Sequence, residues 1–220
     1  MRRLTLTFAA LALAVLIVGT AVAQPGFGLF GGGGTGVLVA NKGVQEELKI
    51  TDEQKTKLTK INEDLRSKAR EAFQNAAGDF DKAREEMQKL NDAAAKSIYE
   101  VLKPEQAKRL KQIELQVAGF NALSREDVQK ELKLTDKQKA EVKTVSEKMR
   151  NDIMEMMQGA FGDFEKMQEN QKKIQAMNKE NLDKVVKTFS DEQKKTWTEM
   201  LGKSFNYVPT PFGRRGGGGN

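Results

Sequence analysis

The chain has 220 residues, 37 of them basic and 31 acidic, with neither Cys nor His. Those two absences exclude a Ser-His-Asp or Cys-His nucleophile system, a Cys/His zinc site, c-type haem attachment, a histidine pH switch and any disulfide. The formal charge of +6 is spread as interleaved Lys, Arg, Asp and Glu, the pattern of a solvated helical surface and not the one-signed stripe that marks a nucleic-acid partner.

In chain order, Met1-Arg2-Arg3, the apolar run Leu4–Val18 and the small-residue stretch ending "AVA" supply the n-region, h-region and cleavage site of a secretory signal peptide, residues 1–23. Cleavage between Ala23 and Gln24 removes Arg2 and Arg3, leaving 35 basic residues against 31 acidic. An uncleaved anchor is the alternative, because Leu4–Ala23 approaches the roughly 20 apolar residues of a membrane-spanning helix. Cleavage implies a periplasmic or secreted protein with no membrane span left. Residues 24–43, with "FGGGGTG", read as a Gly-rich flexible leader, and 208–220, ending "GRRGGGGN", as a flexible tail.

The body between them predicts an all-α fold of elongated helical hairpins. It is rich in Lys, Glu, Gln, Ala, Met and Leu, all good helix formers. Apolar residues recur three and four apart: Leu58, Ile61, Leu65, Ala69, Ala72 and Phe73, then Phe80, Met87, Leu90, Ala94, Ile98 and Leu102, then Leu110, Ile113, Val117 and Phe120. Each set marks one face of an amphipathic helix.

The body then repeats. "ELKITDEQK" from Glu47 returns as "ELKLTDKQK" from Glu131, an offset of 84. Later the offset is 87, as from Ile98 to Val185, Gln106 to Gln193 and Leu110 to Trp197. Two tandem units of about 80 residues are therefore expected, 44–122 and 123–207. The three extra residues are placed just after "GDF", in turns at Gly78-Asp79 and Gly162-Asp163, because inside a packed helix they would rotate its face by about 300°.

Four helix starts share one design. Thr51 with Gln54, Thr135 with Gln138 and Ser190 with Gln193 form S/T-x-x-Q capping boxes. At the fourth, Lys103 takes the cap position, Pro104 follows at N1, where its missing N–H costs nothing, and Gln106 stands at N3. These residues are fully accounted for as helix caps.

"ITDEQK" followed by "IYEVLKPEQAKRL" resembles the LTxxQ-motif (Spy/CpxP-like) family of periplasmic proteins, here as a tandem duplication. Thr51/Gln54 with Pro104/Gln106 match one pair of family motifs, and Thr135/Gln138 with Ser190/Gln193 a second. The resemblance implies a helical cradle that binds unfolded proteins without ATP or acts as an envelope-stress adaptor. It implies a homodimer, whereas the duplication itself points to a monomeric pseudo-dimer with both units in one chain. With no nucleophile system, phosphate loop or metal-ligand spacing in the sequence, neither catalysis nor a cofactor is expected. The chain departs from the pattern at Ile50, Lys103 and Phe189-Ser190, and it lacks the His or Cys of the zinc-responsive relatives. A structural or interaction module of the cell envelope is the alternative function.

Seven methionines crowd the second unit, and "DIMEMMQ" places Met154, Met156 and Met157 together near Phe161. Three readings fit: core, since Met149 and Met177 replace Leu65 and Leu90; an adaptable binding face, since Met suits promiscuous partners; and a copper(I) site built from thioethers. Glu63 with Asp64 and Glu85 with Glu86 sit among Lys and Arg and read as ion-paired surface.

Overall fold

The computed structural model describes residues 34–160 and 163–209. The leader sequence with Ala23 and Gln24, Phe161, and the Gly-rich end from residue 210 onward lie outside these. The described residues are all-α. In order they form α1 (Thr35–Ala40), α2 (Lys42–Glu47), α3 (Asp52–Asn75), α4 (Phe80–Val101), α5 (Pro104–Ala118), a 3-10 segment (Gly119–Ser124), α6 (Glu126–Glu131), α7 (Asp136–Gln158), α8 (Phe164–Val186) and α9 (Asp191–Leu201).

The starts of α3, α4, α5, α7, α8 and α9 follow from their caps. The Thr51 and Thr135 hydroxyls accept the backbone N–H of Gln54 and Gln138, and Ser190 accepts that of Gln193. Lys103 has no side-chain acceptor, so α5 begins with half a box: Gln106 accepts the Lys103 N–H, and Pro104 fills N1. Asp79 and Asp163 cap α4 and α8 through the N–H groups of Lys82 and Lys166; the expected turn at Gly78-Asp79 is present, and Gly162 of its counterpart lies outside the described residues. The aspartate caps stand at the offset of 84, whereas buried Ile98 and Val185, and the Val101 and Thr188 carbonyls that accept from Gln54 and Gln138, stand at 87. The three added residues therefore lie after "GDF", past the turn itself and within the course of α8.

Two apolar clusters organise these helices. The first gathers Leu38 and Val39 of α1, Val44 and Leu48 at α2, Leu58 of α3, Ile98 and Leu102 at α4, and Leu110 and Ile113 of α5. The second gathers Leu115, Phe120, Ala122, Leu123, Val128, Leu132, Val142, Met149, Val185, Phe189 and Trp197. α5 serves both, with Ile113 in one and Leu115 in the other.

Three expected boundaries move. The 24–43 leader gives way to helix at Thr35, and Leu38 and Val39 are fully buried. "GVLVA" is apolar enough to offset its ordering cost despite the glycines before it. Gly36 lets α1 lie close on α3: a β-carbon there would force the Asn62 side-chain oxygen to shift. The second cluster begins before residue 123, since Leu115 and Phe120 already lie in it. Finally, 202–208 leaves α9 and returns to the first cluster, where Phe205 and Tyr207 pack; Val208, assigned to a free tail, accepts a hydrogen bond from Asn41.

Candidate functional site

The cap glutamines do more than cap. Gln54 and Gln106, 52 residues apart, are both buried and hydrogen-bond each other reciprocally: Gln54 Nε2 donates to Gln106 Oε1 at 2.7 Å, and Gln106 Nε2 to Gln54 Oε1 at 3.1 Å. Each Oε1 also accepts its own cap residue's N–H, from Thr51 and from Lys103. Each Nε2 has a further backbone acceptor: Val101 for Gln54, and Leu48 with Lys49 for Gln106. Both side-chain amides are thus satisfied on donor and acceptor sides, and only one orientation of each amide permits this. The pair ties the starts of α3 and α5 to the ends of α2 and α4.

The second half repeats the arrangement group for group. Gln138 and Gln193 exchange bonds of 2.9 and 3.0 Å. Their outer partners are Thr135, Ser190, Thr188, Leu132 and Lys133. The residue ending each preceding short helix is the same too: Lys49 and Lys133 take left-handed backbone, at φ 51° and 49°. In each pair, therefore, the motif matched by Pro104/Gln106 or Ser190/Gln193 meets its upstream partner directly.

A second polar cluster joins the halves. Thr35 Oγ1 and Tyr99 OH donate to the two oxygens of buried Glu114, at 2.6 and 2.9 Å. Arg125 Nη1 stands 3.8 Å from Glu114, and Arg125 Nη2 pairs with Asp127 at 2.9 Å. Burial raises the Tyr99 pKa, and the Glu114 carboxylate adds to the rise. For Asp127, burial works upward, but the Arg125 guanidinium outweighs it and holds the carboxyl low. This cluster escaped the sequence reading; its one signal is Glu114 directly between the apolar Ile113 and Leu115.

The large apolar side chains of the two long hairpins are buried mainly near their bases, while small Ala76, Ala83 and Ala160 are buried at the far ends. In α3 the buried residues are Gln54 and Leu58; farther along, Leu65, Ala69 and Ala72 are half-buried, and Phe73 is 48% exposed. In α7, Val142 and Met149 are buried, Met156 and Met157 half-buried, and Met154 48% exposed. Met149 is therefore core, whereas the Met154–Met157 run is an open face. The expected carboxylate pairs are surface: Glu85 and Glu86 both hold Lys89, and Asp64 pairs with Lys68. No group of three or more carboxylates able to hold a metal ion is found among the described residues, and none of their helices is long and apolar enough to cross a membrane.

Fold and site together define an all-α chain of two long hairpins, each closed at its base by a buried glutamine pair. No protein-family model, curated protein or solved structure matches it.

Proposed function

We propose that this chain is an exported, ATP-independent chaperone-like or envelope-stress adaptor protein of the LTxxQ type, binding unfolded or partner proteins through its amphipathic hairpins. The observation that supports this most directly is the half-open apolar face toward the hairpin ends, with Phe73 and Met154 each 48% exposed. Such a face, framed by charged residues, gives weak, sequence-tolerant contact with apolar segments, and methionines let it repack around different partners. The glutamine pairs fix the hairpin bases, so the faces are presented from a firm support. The matched pairs, offset by 84 and 87 residues, favour an origin by tandem duplication. α5 packs on α9 within the chain, which favours a monomeric pseudo-dimer over a homodimer. The proposal includes no catalysis and no cofactor.

The test uses protein lacking residues 1–23. At equimolar ratio, and equally with or without ATP, it should slow aggregation of several chemically unfolded clients, measured by light scattering. The double variant Phe73→Ser/Met154→Ser should lose much of that effect at unchanged melting temperature. Lack of effect on every client, with one stoichiometric partner captured from an envelope fraction, would replace this reading with a structural module.

A further inference from the structure

We infer that the side of α5 carrying Arg109, Gln112 and Gln116, together with the start of α2, is a binding site for extended polypeptide carrying aromatic residues two apart, and that the chain's own segment 202–208 is its displaceable resident. The inference rests on the proposed binding of unfolded proteins and names the segment chemistry that this site would take.

The hydrogen bonds that hold the segment are made to its main chain. Arg109 Nη1 donates to the Lys203 carbonyl at 2.7 Å. Gln116 Nε2 donates to the carbonyls of Leu201 and Lys203, at 2.6 and 2.8 Å, while Gln116 Oε1 accepts the Phe205 N–H at 2.8 Å. Asn41 Nδ2 closes the far end on the Val208 carbonyl, at 2.8 Å. Contacts of this kind read any extended chain and no particular side chain. Selectivity comes from Phe205 and Tyr207, which pack against the first cluster, while Asn206 between them is exposed. Alternate residues of an extended chain point the same way, which sets the two-residue spacing.

The holding side chains are not a requirement of the repeated scaffold. At the offset of 87, Thr196 and Lys203 stand where Arg109 and Gln116 do; at 84, Arg125 stands where Asn41 does. The second half therefore builds the same hairpin and glutamine pair without them. Gly202 shows how closely the segment lies on α5: its φ is +60°, and a β-carbon there would collide with the Gln112 side chain. A tethered resident competes at high effective concentration, so a free segment must displace it.

The probe is a fluorescein-labelled peptide of residues 201–209, "LGKSFNYVP", titrated by anisotropy into chain lacking residues 1–23. Binding should be weak to the unaltered protein and about tenfold or more tighter to Phe205→Ala/Tyr207→Ala, because apparent affinity scales with the unoccupied fraction of the site. Adding Gln116→Ala should reverse the gain, and a peptide with Ala at both aromatic positions should not bind. Equal affinity for the two proteins, or binding of the aromatic-free peptide, overturns the inference. Hydrogen exchange on the unaltered chain decides independently of whether the variant folds. Saturating peptide should speed exchange at 203–208 and spare α7, and an unchanged pattern at 203–208 overturns the inference. Aggregation suppression without peptide exchange would sink this inference alone; peptide exchange without aggregation suppression would sink the functional proposal and leave the site.

Discussion

A glutamine at the third position of a helix ordinarily returns one hydrogen bond to its own cap. Here that residue is turned inward, where an amide has the donor and acceptor needed to satisfy its twin and two chain ends at once. Replacing Gln54 by Ala leaves the Thr51 N–H without its acceptor and the Val101 carbonyl without the Gln54 donor, and takes one partner from each side of the Gln106 amide. The expected loss is about 2–4 kcal/mol, the cost of leaving buried polar groups unpaired. Gln106→Ala should cost about as much, and the double variant less than the sum, because each single change already breaks the pair. Urea denaturation of the four proteins in the cycle measures this. Tyr99 carries a separate consequence. An unfolded tyrosine ionises near pH 10, whereas burial and Glu114 keep Tyr99 protonated to higher pH in the folded chain. The folded state then binds more protons than the unfolded state above about pH 10. Tyr99's contribution is complete below that pH and falls away as pH rises. Tyr99→Phe should flatten the fall in urea midpoint between pH 9.5 and 11.5, and a curve parallel to the unaltered protein's would contradict the assignment.

At the scale of elements, helix existence was legible and helix partnership was not. Caps and the three-four spacing located α3, α4, α5, α7, α8 and α9, because a capping box acts within four residues and leaves its imprint there. The same Gln54 and Gln106 gave no sign of meeting, since reciprocal amide bonding depends on a fold that brings residues 52 apart together. α1 was hidden for another reason: "TGVLVA" has no cap side chain and follows a glycine run, so its helix is set by burial of Leu38 and Val39 and not by local preference. Periodicity also named the apolar faces without saying how far along each they are covered. That gradient is itself testable. Local opening is easiest where few apolar contacts must break, and in α3 burial of large apolar side chains stops at Leu58. Amide exchange in α3 should therefore quicken steadily from the Gln54 end toward the turn at Gly78, with α7 doing the same toward its own turn. Uniform protection along both helices would mean that the open faces are covered in solution.

At the scale of the molecule, the question is what makes two clusters one cooperative unit. α5 places Leu110 and Ile113 in the first and Leu115 in the second, the Glu114 cluster spans the junction, and segment 202–208 runs from the second half back to the first. The probes separate conveniently, because Trp197, the one Trp in the chain, lies in the second cluster, whereas Tyr99 and Tyr207 pack against the first. In the intact chain, tryptophan and tyrosine signals should report one shared unfolding transition. Truncation after Leu201 removes Phe205 and Tyr207 from the first cluster and leaves Asn41, Arg109 and Gln116 without the main-chain partners they hold. Fully burying an aromatic side chain is worth about 1.5–3 kcal/mol, and these two are partly buried, so the first cluster should lose about 3 kcal/mol. The second cluster keeps all its buried residues, so the tyrosine transition should move to lower urea while the tryptophan transition stays nearly in place. If the two move together by the same amount, α5 and the Glu114 junction alone couple the halves strongly enough, and the returning segment serves occupancy of the α5 site and not cohesion of the fold.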